Sequence, residues 1–107
     1  MVMAKQPFNL VVVPQFEGHL SAIESKYHST IRDKIAELLL HEPDTKTRNR
    51  KPLRSPILGA TWEIRFGPDN RFRVFYDVEV ESQRVILIGI GVKIRDQLYI
   101  GGEEYES

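Results

Sequence analysis

Two runs of alternating residues, 60–66 and 72–80, constrain this chain more than any other feature. A period of two belongs to the β-strand, whose successive side chains point to opposite faces. In the first run Trp62, Ile64 and Phe66 fall on one side, and Thr61, Glu63 and Arg65 on the other. In the second, Phe72, Val74, Tyr76 and Val78 point inward, and Arg71, Arg73, Phe75 and Asp77 outward. Gly67-Pro68-Asp69-Asn70 between them is turn chemistry. The two strands therefore gather Glu63, Arg65 and Arg73 on the face opposite the core.

The rest of the chain fills in around that pair. Phe8 to Val13 is an apolar run ended by Pro14, which reads as a first strand buried on both faces. Leu20, Ile23, Tyr27, Ile31, Ile35, Leu38 and Leu39 recur at steps of three and four, one apolar stripe of helix. A break near His28-Ser29, with Thr30 and Asp33 approximating a capping box, predicts two helices over residues 15–27 and 29–41, the second stopped by Pro43. Residues 45–54 are polar and basic without periodicity and read as a loop. Val85 to Val92 is apolar throughout, a central strand, in which Gly89 and Gly91 mark a bulge or a close backbone approach. After Lys93 the pattern predicts a short turn or helical stub and then a tail. The last three long strands fit a meander, and the first must find a sheet edge or pair with the last.

At 107 residues the chain has room for one core, so a single domain over 1–107 is expected, with an acidic tail from about residue 101. Cysteine is absent, which excludes disulfides, thiolate metal sites and Cys nucleophiles and suits a reducing compartment. Leu10 to Val13 is too short for a signal peptide or a membrane span, so a cytoplasmic protein without membrane contact is expected. A net charge of zero hides an asymmetry. Between residues 46 and 73 lie eight cations (Lys46, Arg48, Arg50, Lys51, Arg54, Arg65, Arg71, Arg73) against Glu63 and Asp69, whereas Glu103, Glu104 and Glu106 make the end acidic. Such a local patch suits a polyanion even on a neutral molecule. A solvated loop and strand face is the plainer alternative.

His19, His28 and His41 are spaced too far apart for the usual helical ligand pairing, so no metal site is expected, and no cofactor. Gly89-Ile-Gly91 lacks the third glycine and the helix of a dinucleotide loop. The sheet face remains. Cleaving RNA without a metal needs a base for the 2′-hydroxyl, fixed cations for the charge that builds on phosphorus, and an acid for the leaving 5′-oxygen. Arg65 and Arg73 suit the second task, because arginine stays charged and can grip two phosphate oxygens. Glu63 is a candidate base, Lys93 leaves the central strand near the same end, and Tyr99 or Phe75 can stack on a base or, for Tyr99, give a proton. The competing account is a charge network of Glu63 and Arg65 on a solvated sheet.

Ser29-Thr-Ile-Arg32, His41-Glu-Pro, Lys51-Pro-Leu, Trp62-x-Ile-Arg65, Phe72-Arg-Val-Phe-Tyr76, Gly91-x-Lys93-x-Arg95 and Leu98-Tyr99 stand in an order that resembles the RelE/ParE superfamily of type II toxins, and most closely its RelE branch. The resemblance implies an α+β fold, with two N-terminal helices packed on a twisted, mainly antiparallel four-stranded sheet. It implies a cognate antitoxin, operator DNA bound through that antitoxin, and metal-independent cutting of mRNA on the ribosome by 2′-hydroxyl attack. Carried over by position, the catalytic set looks like Arg65, Arg73, Lys93 and Tyr99. The basic stretch Lys46, Arg48, Arg50, Lys51 and Arg54 is then assigned to RNA. Two positions depart from the pattern: Glu63 stands where lysine is usual, and Lys93 where arginine is usual. A ParE-like inhibitor of DNA gyrase, and an inactive toxin kept as an antitoxin-binding partner, are the rival readings.

Overall fold

The computed structural model describes residues 6–106, so both ends of the expected 1–107 domain, Ser107 of the acidic tail among them, lie outside the described residues. The order is β1 (Asn9–Val12), α1 (Pro14–Ser21), a short 3-10 turn (Ser25–Tyr27), α2 (His28–Leu39), then β2 (Arg50–Ile57), β3 (Ala60–Phe66), β4 (Phe72–Glu79), β5 (Arg84–Ile94), β6 (Gln97–Ile100) and β7 (Glu103–Glu104). The class is α+β, but the sheet has seven strands rather than the expected four. β2 to β7 form one antiparallel meander in chain order, and β1 joins β5 in parallel, Asn9 opposite Arg84 through Val12 opposite Leu87. Of the two expected placements of the first strand, a sheet edge or the last long strand, the second is present.

The helical stripe packs as its spacing requires. Leu20, Ile23, Ile31, Ile35 and Leu39 share one buried cluster with Ile64, Phe66, Phe72, Val74, Tyr76, Val85, Leu87 and Ile90, and Tyr27 and Leu38 close its margin. Each such side chain, fully buried, stabilises the fold by about 1.5–3 kcal/mol relative to exposure. Pro14 both ends β1 and opens α1 at its first helical position, where its missing N–H has no partner to lose. α2 begins at His28 without a side-chain cap, so Thr30 and Asp33 do not form the expected box, and it ends at Leu39, well before Pro43. No helix among the described residues is long and apolar enough to cross a membrane.

The basic segment read as a loop contains a strand. β2 starts at Arg50 and pairs with β3 through Arg50–Ile64, Lys51–Glu63 and Pro52–Trp62. It forms one edge of the sheet, where Pro52 and Pro56 cost no ladder bonds. Arg50 faces the helices and is 7% exposed. Its Nε donates to the Thr45 carbonyl (2.6 Å) and its Nη1 to the Leu38 carbonyl in the last turn of α2, with Glu42 4.0 Å away. A cation there satisfies carbonyls that the helix end leaves open. Arg50 is thus a structural residue, and its assignment to RNA is corrected.

The sheet also curls. One extra residue of β5, Ile88, bulges between the pairs Phe75–Gly89 and Tyr76–Leu87, and its carbonyl accepts a bond from the Gln15 side chain of α1 (2.9 Å). A Cβ on Gly89 would sit 2.5 Å from Leu58 at the tip of the β2–β3 hairpin and 3.0 Å from His19 Nδ1. The hairpin tip and α1 therefore both close onto β5 at this glycine. Leu58, with Ala60, Phe75, Ile100, Leu98 and Tyr105, makes a second apolar cluster on the face away from the helices. Phe75 is 0% exposed there, so it packs and cannot stack on a base as the alternation alone suggested.

Candidate functional site

Register places the outer charges beside one another. Glu63 lies opposite Lys51 on one side and Phe75 on the other, and Arg65 lies opposite Arg73. The Glu63 carboxylate is 5% exposed. Its Oε2 accepts from Arg65 Nη2 at 3.3 Å and lies 3.9 Å from Lys51 Nζ, and its Oε1 accepts from Arg73 Nη1 at 3.3 Å. Arg73 Nε is held by the Asn70 carbonyl at 2.8 Å, so the turn before β4 aims this guanidinium. Burial, and then the neighbouring Arg65, pull the Arg73 pKa below the ordinary arginine value, partly offset by Glu63. The group stays a cation all the same.

Two guanidinium groups directly opposite across strands repel. One carboxylate between them does not use up their donors: Arg65 Nε is buried and has no hydrogen-bond partner among the described residues. Lys51, Arg65 and Arg73 against Glu63 leave a surplus of two positive charges. The arrangement has the electrostatics and the free donors of a site for an oxyanion.

Beyond Arg73 the same face opens into a cleft of about 610 Å³ lined by Asp69, Arg71, Arg73, Lys93, Ile94, Arg95 and Asp96. Lys93 follows Gly91, which pairs with Arg73, by two residues, and its backbone N–H bonds the Arg71 carbonyl at 2.7 Å. Lys93 is thus on the expected face. Arg71 and Arg95 also line the cleft: the alternation put Arg71 on the outward face without making it a site residue, and Arg95 occupies the short turn expected after Lys93.

Tyr99 does not join this group. It pairs with Val92, so it stands on the helix side of the sheet, in a cavity of about 360 Å³ with His19, Ile23, Glu24, Tyr27 and Phe72 that shares Arg71 and Ile94 with the cleft. The two-residue turn after Ile94 fixes that register, and with it the face. Burial lowers the pKa of His19, whose Nδ1 has no partner among the described residues. His28 Nε2 lies 2.7 Å from the Ile23 carbonyl. Of the basic stretch, Lys46 and Arg48 are exposed between α2 and β2, Arg54 is exposed on the irregular half of β2, and Lys51 belongs to the Glu63 cluster.

With this geometry in place the chain can be set against known proteins. A chain of the toxin–antitoxin complex RelBE2 from Mycobacterium tuberculosis matches it with a TM-score of 0.61, over 81% of this chain and 99% of that one, at 19% sequence identity. The fold is RelE-like. The shared part is the α+β plan of two helices and a large antiparallel sheet, as the sequence resemblance implied. No family model matches the chain, and no curated protein matches it.

Proposed function

We propose that this RelE-like chain is the toxin of a type II toxin–antitoxin module and cuts mRNA on the ribosome without a metal, in the cytoplasm. The observation that carries this reading is the Arg65–Arg73 pair, two buried-edge guanidinium groups brought face to face with a donor left over. The non-bridging oxygens of the scissile phosphate lie against these two side chains. The substrate's 2′-hydroxyl gives up its proton and attacks phosphorus, the P–O5′ bond breaks as the O2′–P bond forms, and the 5′-oxygen takes up a proton, so the products are a 2′,3′-cyclic phosphate and a 5′-hydroxyl with no net change in protons. Arginines that are already oriented need no rearrangement as charge builds on phosphorus, which is the largest single source of such catalysis.

Glu63 in this reading is a positioning residue. Both its oxygens are engaged by arginine, and a substrate hydroxyl reaches it only after those bonds give way. Lys93 supports the leaving side. Tyr99, on the other face, is left out of the chemistry. The chain then supplies charge and position but no poised acid–base pair of its own, which suits an enzyme whose site is completed on the ribosome. Its expected partners are an antitoxin that covers the cation face, the ribosome and mRNA, with Lys46 and Arg48 toward ribosomal RNA and operator DNA reached through the antitoxin.

Purified protein incubated with a translated mRNA, with and without ribosomes, and mapped by primer extension tests the reading. Cuts should occur only with ribosomes and fall by about 10²–10³ in Arg73→Ala, the usual loss for one donor to a developing oxyanion. No cuts in either condition would overturn it. Relaxed plasmid in cells expressing the protein would then favour gyrase inhibition, and unimpaired growth an inactive antitoxin partner.

A further inference from the structure

The turn between β5 and β6 carries a strained residue that the Arg65–Arg73 site does not use. Ile94 pairs with Gln97, so Arg95 and Asp96 make the whole turn. Arg95 has φ of 59°, and Asp96 is not among the positive-φ residues. Positive φ at the first of two central positions is the pattern in which glycine is strongly favoured, and a long side chain there is strained. Leu58, also at positive φ (56°), has a visible return, since it closes over Gly89 in the second apolar cluster. Arg95 is exposed and makes no ion pair or side-chain hydrogen bond among the described residues. What it does is line the 610 Å³ cleft with Arg71, Arg73 and Lys93.

Those cations are also free for a ligand. Asp69 and Asp96 share the cleft, yet neither Arg71, Lys93 nor Arg95 forms an ion pair with them among the described residues, and Arg71 spends one N–H on the Pro68 carbonyl at 3.3 Å. The cleft begins at Arg73, the residue it shares with the oxyanion site. Lys93 sits diagonally across the ladder from Arg73, a spacing of about 7–8 Å. That is the scale of one nucleotide step along a single strand.

We infer that the β5–β6 turn is a clamp for a second phosphate, the one next along the chain from the phosphate at Arg65 and Arg73, with Arg95, Lys93 and Arg71 as its donors. The inference rests on the RNA-cutting reading for the identity of the polyanion, while the subsite itself stands on the cleft and the turn. Of the two turn residues that line the cleft, Arg95 is the cation, and the strain is borne at its position.

The test sets stability against binding. The probe is a single-stranded 2′-O-methyl hexanucleotide, which cannot be cut, titrated by fluorescence anisotropy over a series of salt concentrations. Arg95→Gly should melt higher than wild type, by about 4 °C as the turn relaxes. It should bind the probe about fivefold to tenfold more weakly at low salt. Its plot of log K against log salt should flatten by about 0.7, one phosphate contact fewer. Arg95→Lys, which keeps both charge and strain, should retain the slope. Arg95→Gly with wild-type affinity and slope, or a wild-type protein that does not bind the probe, overturns the clamp. If Arg95→Gly binds normally while Arg73→Ala does not, the clamp falls and the RNA-cutting reading stands. If Arg95→Gly loses affinity but wild type cuts no translated mRNA, the clamp stands and that reading falls.

Discussion

Arg50 and Arg73 are both buried, yet they are committed to different tasks. Arg50 gives its N–H groups to the carbonyls of Leu38 and Thr45, whereas Arg73 faces a second guanidinium and one shared carboxylate. Arg50→Met keeps most of the stem but leaves the part-buried Leu38 and Thr45 carbonyls without their donors, so it should lower the unfolding free energy by about 2 kcal/mol. Urea denaturation measures this, and cleavage per folded molecule should be unchanged. Glu63→Gln keeps the shape and removes the charge that holds Arg65 and Arg73 together. It should destabilise the protein by about 3 kcal/mol, the low end of the loss expected when one partner of a buried ion pair goes, because Arg65 is partly exposed. A more stable Glu63→Gln variant would mean that Glu63 does not hold the pair. Both arginines look alike in the sequence, as members of one basic run. What separates them is that Arg50 falls opposite Ile64 and Arg73 opposite Arg65, a matter of register that composition does not contain.

At the scale of elements, the strands that alternate cleanly were the legible ones. β3 and β4 run where their pattern puts them, and Glu63, Arg65 and Arg73 do share a face. β2 was hidden because an edge strand tolerates proline and charge, which are the marks by which a loop is read. Tyr99 went to the unexpected side because the short turn expected after Lys93 is followed by a paired strand and not by a tail, and that pairing decides which way β6 faces. Phe75 is buried on the outer face by Leu58 at the tip of the neighbouring hairpin and by Ile100, Leu98 and Tyr105 from the last strands, contacts with no local signal. Gly91 was correctly read as a close approach. A Cβ there would lie 2.8 Å from the Tyr99 backbone oxygen, with Ile100 and Leu98 at 3.0 and 3.1 Å. Gly91→Ala should therefore push β6 away from β5 and cost about 1–3 kcal/mol. Amide exchange of residues 97–100 should quicken well beyond that of β3. Equal protection in the variant would show that β6 gives way without cost.

For the molecule as a whole, the acidic end does not hang free of the sheet. β7 pairs with β6, and Tyr105 bonds the Leu98 carbonyl at 2.8 Å and joins the second apolar cluster. The charge asymmetry read from the sequence thus becomes a sheet face with cations at one end and apolar cover at the other. The parallel addition of β1 to β5 has a further consequence. Asn9 meets Arg84, so residues 9–12 find their partner only when a strand far along the chain has been made. β5 is also the strand against which β4 and β6 lie. Contacts between such distant parts of a chain are slow to form, because the long loop must close before anything rewards it. The strand that underlies the cation face must therefore be made and in place before β1 can dock on it, and the last step of assembly should be the docking of the first strand. Pulsed hydrogen exchange during refolding should find the amides of residues 9–12 protected after those of β3 and β4. Until β5 is in place, a chain of this fold has no complete cation face.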